Sequence, residues 1–489
     1  MDSTRAAAES EAYASAIYWA DDDGAWCKLG DTQWQCLVPG TGGLRAAATA
    51  RPRAWRPWTR LVDDAEAPYL SWFEGAQTNI ALSAVDAPAA LEGAAAAYEA
   101  VSAEDERDRL TRAELLAAVL ACRGALERAL PLTPAARVFL HAATGLEQAV
   151  VCHALARAAA CYTCTALDAT DEALAHRFRE LRPDLFVAAS DAVTRGEAAA
   201  ARCARLFGDA GPRVAIRRGD AKAWAARRAP YAPPVAVGDA AALMVVFTSG
   251  STGRPKGLVH GHGGYGACVA RTMDYVFAAR AGRDRVLTLG TFAWITGQSY
   301  MLYGPALAGC ASILVGGSLL GGDGLRWARV ALATKATILK CAAAFVRQAM
   351  ADPERRAALV ELDLPRSALR LGTFCAEPLS ADVQRWAARH VVAPFVNSYW
   401  ATEHGSIVAS SANRPDALDA KCWPVPWAPA AVEGAGLGDF VLTAPYAGLA
   451  RTVFAAEGYG CATWRGDCLL YTSDAADEGL GVDLGGRRI

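Results

Sequence analysis

The sequence has almost no net charge: 49 lysines and arginines stand against 51 aspartates and glutamates, a formal balance of -2. Without a positive excess the chain lacks the electrostatic term that drives binding to a phosphate backbone, and nucleic acid is not an expected partner. A secretory leader is not expected either, because the first residues run into Glu9 and Glu11 rather than an apolar stretch. Zinc-type spacing is absent too. The fourteen cysteines are scattered, and Cys161-Tyr162-Thr163-Cys164, the one CxxC, has no second pair to complete a tetrahedral set. These cysteines read as buried thiols of a reducing compartment, so a cytoplasmic location is expected. The uncharged run 286–322 is long enough to span a bilayer, but Gly297, Gly304, Pro305, Gly309, Gly316 and Gly317 interrupt it. Buried strand, helix and strand segments explain it better than a membrane span. No internal repeat is evident.

What is present is apolar bulk: 53% hydrophobic against 20% charged residues, enough to offset the entropy of ordering a packed chain. At about 150 residues per domain, the length suggests roughly three domains or subdomains. Residues 1–66 are rich in tryptophan (Trp19, Trp26, Trp34, Trp55, Trp58) without a long helical period, and read as an irregular cap. From Thr111 the apolar positions Leu115, Leu116, Val119, Leu120 and Leu126 recur at helix spacing, and Arg137-Val138-Phe139-Leu140 then reads as a buried strand. Helices near 146–160 and 172–181 and a strand at 185–188 continue the alternation. This rhythm predicts an α/β fold of mostly parallel sheets covered by helices. Residues 217–234, basic, alanine-rich and ending in Tyr231-Ala232-Pro233-Pro234, read as a surface connection.

The most informative string follows the buried-strand pattern at 242–247: Thr248-Ser249-Gly250-Ser251-Thr252-Gly253-Arg254-Pro255-Lys256-Gly257. Hydroxyls, freely turning glycines and a lysine make a loop whose amides and side chains can wrap a polyphosphate. A Walker loop is rejected, since GxxxxGK[ST] fails where Pro255 precedes Lys256 and Gly257 follows it.

The decapeptide resembles the signature loop of the adenylate-forming (AMP-binding) superfamily of acyl-CoA synthetases, adenylation domains and luciferases. Four further segments carry the resemblance in family order. Ala67-Pro68-Tyr69-Leu70-Ser71-Trp72-Phe73, with Asn79 and Asp86, looks like the amino-terminal segment of short-chain acyl-CoA synthetases. Residues 291–300 with Tyr303-Gly304-Pro305 look like their acyl-pocket stretch. Gly372-Thr373-Phe374-Cys375-Ala376-Glu377-Pro378 is similar to the adenine-contacting turn, and residues 397–405 to the magnesium and substrate motif. The resemblance covers roughly 67–454 and is closest to acetyl-CoA, propionyl-CoA and acetoacetyl-CoA synthetases.

The resemblance implies a division of labour. Thr248, Ser249, Gly250, Ser251, Thr252, Gly253 and Lys256 would cradle the β and γ phosphates of ATP, Glu403 would hold Mg²⁺, and Thr402 would contact the α-phosphate. Ala376, Glu377 and Pro378 would border the adenine, with Asn397 at a position where many members carry aspartate; its carbonyl oxygen can still accept a hydrogen bond. Trp400 would close the acyl pocket beside Trp294, Ile295, Thr296 and Cys375, limiting the acid to acetate or propionate size. Core packing remains the other reading of Trp400. His260 and His262, alternating without a third ligand, read as structural or substrate-edge residues rather than a metal site. Residues 161–170 do not reproduce the segment that would place CoA contacts there.

After Phe454 the family pattern stops. Arg465-Gly466-Asp467 arrives too early for the ribose-binding motif, and neither the hinge arginine nor the lysine-bearing small carboxy-terminal lid domain is found. Residues 468–478 look like the translated adapter of transposon-based sequencing libraries. The expected organisation is therefore an amino-terminal cap at 1–66, a large adenylation domain with a smaller β subdomain at 67–467, truncated, and an aberrant tail at 468–489. The expected function is ATP-dependent activation of a short-chain carboxylate to an acyl-adenylate and then acyl-CoA, with this chain a poorly active form. The alternative is a noncatalytic nucleotide or acyl-adenylate binder without a lid. Oligomeric state is left open.

Overall fold

A computed structural model describes residues 3–23, 25–30, 33–40, 43–47, 56–63, 71–194, 196–208, 212–239, 241–248, 255–377, 379–433, 439–454, 464–465 and 468–469. The alternating buried runs form two seven-stranded sheets. Their strands in chain order are β1 Ala96–Val101, β2 Arg107–Thr111, β3 Arg137–His141, β4 Cys161–Thr165, β5 Leu185–Ala189, β6 Arg213–Ile216, β7 Ala242–Phe247, β8 Gly257–Gly261, β9 Arg285–Thr288, β10 Ala311–Val315, β11 Ile338–Ala342, β12 Leu371–Cys375, β13 Phe395–Val396 and β14 Thr452–Phe454.

One sheet has the order β6-β5-β3-β4-β7-β8-β14, parallel from β6 to β7 and closed by antiparallel β8 and β14. The other has the order β13-β12-β11-β9-β10-β1-β2, parallel except for edge strand β2. Strands such as Leu185–Ala189 and Ala311–Val315 are buried along their whole length, as expected when helices cover both faces. The helix Leu146–Arg157 is buried at every position but Glu147 and touches a strand of each sheet, β4 and β1, which explains why apolar residues occur on all its sides. The predicted helix after Thr111 spans Arg112–Glu127. It starts with a capping box, in which Thr111 Oγ1 accepts from the Glu114 amide at 3.2 Å and Glu114 accepts from the Thr111 amide at 2.8 Å.

Two polar residues of the early family-like segment act as clamps. Asn79 donates to the carbonyls of Ala156 and Val235 at 2.8 and 2.9 Å. Asp86 accepts a forked pair of bonds from the wholly buried Arg157, at 2.7 and 3.0 Å. A buried charge of this kind is tolerated because its partner is held in place.

Three expectations need correction. The cap is not irregular: residues Ser3–Ala16 form a helix, followed by a four-stranded antiparallel sheet, Trp19–Ala20, Trp26–Leu29, Trp34–Gly40 and Gly43–Ala46. The helix escapes a periodicity reading because alanines at many positions support it by propensity rather than by an apolar stripe. Trp19, Trp58, Tyr13 and Phe73 pack as an aromatic cluster beneath it, with ring centroids 4.9 to 5.3 Å apart. Secondly, the cysteines are not all thiols. Cys27 and Cys36 stand opposite each other on adjacent strands and form a disulfide, whereas ten further cysteines are free and buried. Thirdly, residues 217–234 are not purely a connection, since Asp220–Ala225 is helical and buries Trp224.

The CxxC lies on β4, where three-residue spacing sends the two sulfurs to opposite faces, Cys161 into one apolar cluster and Cys164 into another. Among the described residues no group of three or more His, Cys, Asp or Glu is placed to hold a metal ion, and no helix is long and apolar enough to cross a membrane. The smaller β portion includes a sheet of Ala430–Glu433, Asp439–Leu442, Cys468–Leu469 and Trp464–Arg465. The expected aberrant tail thus begins with a paired backbone at 468–469, and 470–489 lie outside the described residues.

Candidate nucleotide and acyl site

The phosphate-loop string connects two antiparallel strands. Phe247 pairs with Gly257, and the Thr248 amide donates to the Lys256 carbonyl at 2.9 Å, closing the base of the hairpin. Gly257 is required by packing, since a Cβ there would lie 2.7 Å from Val245 Cγ1. Ser249, Gly250, Ser251, Thr252 and Gly253 lie outside the described residues; Thr248 and Lys256 are partly buried at the two ends. His176, on the helix Asp171–Leu181, makes a 3.1 Å hydrogen bond with the Pro255 carbonyl and fixes the loop's return.

Far along the chain, Thr402–His404 form a single 3₁₀ turn whose backbone is held on every side. The Ala450 amide donates to the Glu403 carbonyl at 2.7 Å, the Tyr446 hydroxyl to that of His404 at 2.8 Å, and the Ser299 hydroxyl to that of Gly405 at 2.7 Å. His404 Nδ1 accepts from the Ala401 amide at 3.0 Å. Arg451 donates its amide to Val259 on β8 at 2.7 Å, so the same segment that grips the turn also binds the strand leaving the phosphate loop. His260 on β8 packs near this turn, and burial draws its pKa down to about 4 and keeps the ring neutral.

This bracing holds Glu403 within electrostatic reach of Lys256. Burial raises the Glu403 carboxyl pKa, and its own backbone amide and then the positive charge of Lys256 pull it partly back. A desolvated carboxylate whose charge is only partly compensated is a suitable donor for a divalent cation, which would restore its ionised form.

Gly405 ends the turn at φ 68°, and a Cβ would sit 2.8 Å from the Gly448 carbonyl oxygen. Gly405→Ala is therefore expected to destabilise the protein by about 1–2 kcal/mol from the left-handed backbone alone. A urea midpoint unchanged from wild type would contradict this.

At the carboxyl end of β12, where ligands bind parallel sheets, the chain turns sharply. Ala376 adopts φ 71°, a strained conformation for a residue with a Cβ. Glu377 accepts from the Ala344 amide at 3.2 Å and pairs with Arg347, tying the turn to the helix Ala343–Ala351. Pro378 lies outside the described residues. Asn397 is buried; its Nδ2 donates to the Ala420 carbonyl at 2.7 Å and its Oδ1 accepts from the Ser398 amide at 2.9 Å. One lone pair of that oxygen remains for a base.

Ile295, Cys375 and Trp400 are buried in one apolar cluster, and the Trp400 ring stands edge-on to Tyr300 at 5.0 Å. Thr296 is partly buried beside them in sequence, whereas Trp294 is half exposed at the start of the same turn. The sequence reading missed His176, Tyr446 and Lys340. For Lys340 a signal existed: a lone charge within the buried-strand run Ile338–Ala342.

A family model described as AMP-binding enzyme matches residues 88–438. The chain belongs to the AMP-binding enzyme family. It is 27% identical over 72% of its length to an acetyl-coenzyme A synthetase of Thiobacillus denitrificans, covering 56% of that protein. It is 28% identical over 76% of its length to a propionate–CoA ligase of Salmonella typhimurium, covering 61% of that protein. The chain thus spans little more than half to about three-fifths of the length of these relatives. Acetoacetyl-CoA synthetase from Streptomyces lividans shares the fold, with a TM-score of 0.67 and 22% identity over 81% of this chain and 64% of that one. Both the α/β architecture and the helix-flanked parallel sheets are those of this family.

Proposed function

We propose that this site activates a short-chain carboxylate with ATP, forming an acyl-adenylate and pyrophosphate, and that the parent protein then passes the acyl group to CoA. The reading is carried by a turn, far along the chain, whose carbonyls are all bonded and which holds the largely buried Glu403 within electrostatic reach of Lys256 at the end of the phosphate-loop hairpin. The kinship to acetyl- and propionate-activating ligases supports a small acid.

In the reaction a carboxylate oxygen forms a bond to the α-phosphorus while the bond from that phosphorus to the bridging oxygen breaks, and pyrophosphate leaves with the electron pair. Two anions must approach, so the site has to suppress their repulsion and compensate the leaving group. Lys256 would take the latter task and the Thr248 hydroxyl would bind alongside it. Thr402 would orient the α-phosphate from a turn that cannot shift, because each of the carbonyls at 403, 404 and 405 is already bonded. Mg²⁺, when bound through Glu403, supplies charge neutralisation on the phosphate oxygens. Ala376, Glu377, Pro378 and Asn397 would border the base; Ile295, Thr296, Cys375 and Trp400 would line the acyl pocket, with Trp294 at its rim. No described residue is assigned a contact with CoA.

The test is acid-dependent exchange of labelled pyrophosphate into ATP by the purified chain with acetate or propionate. Exchange that requires both acid and Mg²⁺ is expected. Tight ATP binding with no exchange for any small acid would overturn the reading and favour a noncatalytic nucleotide binder.

A further inference from the structure

Lys340 has no task in that scheme, yet it stands against the acyl-pocket walls. It occupies the middle of β11 opposite Thr373 of β12, and strand alternation puts Lys340, Thr373 and Cys375 on one face. Its side chain is completely shielded from solvent. The Nζ donates to Thr373 Oγ1 at 3.2 Å and faces the Cys375 thiol. Three aromatic rings surround it, with centroids 4.9 Å away for Tyr300, 5.5 Å for Phe277 and 5.7 Å for Trp400. Among the described residues no carboxylate pairs with it.

An ammonium has three hydrogens to donate, and aromatic faces attract its charge without accepting a strong hydrogen bond. Desolvation lowers its pKa, which marks the same deficit of compensation. Burying a cation without a counter-ion is among the least favourable arrangements a core can hold. The missing partner has to be an acceptor, and Trp400 and Cys375 are the very residues assigned to the acyl end of the substrate.

We propose that Lys340 is a specificity-determining residue, whose Nζ binds an anionic oxygen at the far end of the acyl group, so that the preferred acid is a short dicarboxylate rather than a plain alkanoate. The assignment of which carboxylate reacts rests on the adenylation reading; binding of the distal carboxylate does not. A carboxylate is favoured over a keto oxygen because it supplies the countercharge as well as the acceptor.

The experiment compares malonate, acetoacetate and propionate on the full chain by thermal shift and by pyrophosphate exchange. Malonate is expected to raise the wild-type melting temperature more than propionate does, and to be preferred in exchange by at least about tenfold. Lys340→Met, of similar length and free of charge, is expected to lose the malonate-dependent shift while retaining propionate exchange. A malonate shift no larger than that of propionate, a preference for acetoacetate over malonate, or an unchanged malonate shift in Lys340→Met each overturns the proposal, and the first two need no variant. If malonate binds through Lys340 but no acid supports exchange, adenylation is wrong and the distal-carboxylate site stands. If propionate supports exchange and malonate gives no shift, the reverse holds.

Discussion

Glu403→Gln is expected to lower acid-dependent pyrophosphate exchange by about 10²–10³-fold while leaving the melting temperature unchanged or raised. The substitution preserves shape, and the Glu403 backbone carbonyl keeps its bond from the Ala450 amide. The turn should therefore stay intact. What is lost is the negative charge, which burial makes unfavourable in the folded protein and Lys256 only partly compensates. A group that the fold disfavours as an ion, but retains at a turn braced from three directions, has its purpose outside the fold. The measurement pairs exchange rates at saturating Mg²⁺ with thermal melting. Activity within about tenfold of wild type would remove Glu403 from the proposed chemistry. A large loss of stability alongside the loss of activity would instead make it a structural residue.

The portion of this site that could be read from the sequence is the portion built from contiguous chemistry. The hydroxyl-rich decapeptide after an apolar strand stands out as a string, the Thr402-Glu403 segment is marked by resemblance, and the alternation of buried runs with alanine-rich helices foretells mostly parallel sheets. What could not be read depends on register and on distant partners. The disulfide follows from Cys27 falling opposite Cys36 in an antiparallel pair, which the sequence does not encode locally. The helix Ser3–Ala16 has propensity but no clean apolar stripe. His176 supports Pro255 only because the helix Asp171–Leu181 packs beside the hairpin. Lys340 looks like an anomaly in a strand until Phe277, Tyr300 and Trp400, from three separate segments, close around it.

The same burial that positions the site is expected to make the protein sharply acid-labile. Five of the seven histidines, His141, His153, His260, His262 and His404, are enclosed, and desolvation lowers their pKa values from 6.5 to about 3 or 4. Where a histidine's folded pKa lies below its unfolded one, the unfolded chain binds the proton first. Stability is then fully present above the unfolded value and falls as pH drops through the window between the two. Each such histidine contributes about 1.4 kcal/mol per pH unit inside that window, and five together about 7 kcal/mol per unit. Set against the 5–15 kcal/mol typical of folded domains, this slope predicts unfolding within about one to two units below pH 6.5. Asp239, Glu147 and Glu403 act in the opposite sense, because burial raises their pKa values and lets the folded state take up protons first. They moderate the fall without reversing it, since they are fewer and start from the ordinary carboxylate range. Urea denaturation between about pH 7.5 and 5.5 should show the steep loss, and unfolding near pH 5.5 should take up about four to five protons. A stability that stays flat across this interval would mean that the buried imidazoles already carry protons in the native state, and with that the neutral His260 beside Thr402 would have to be given up.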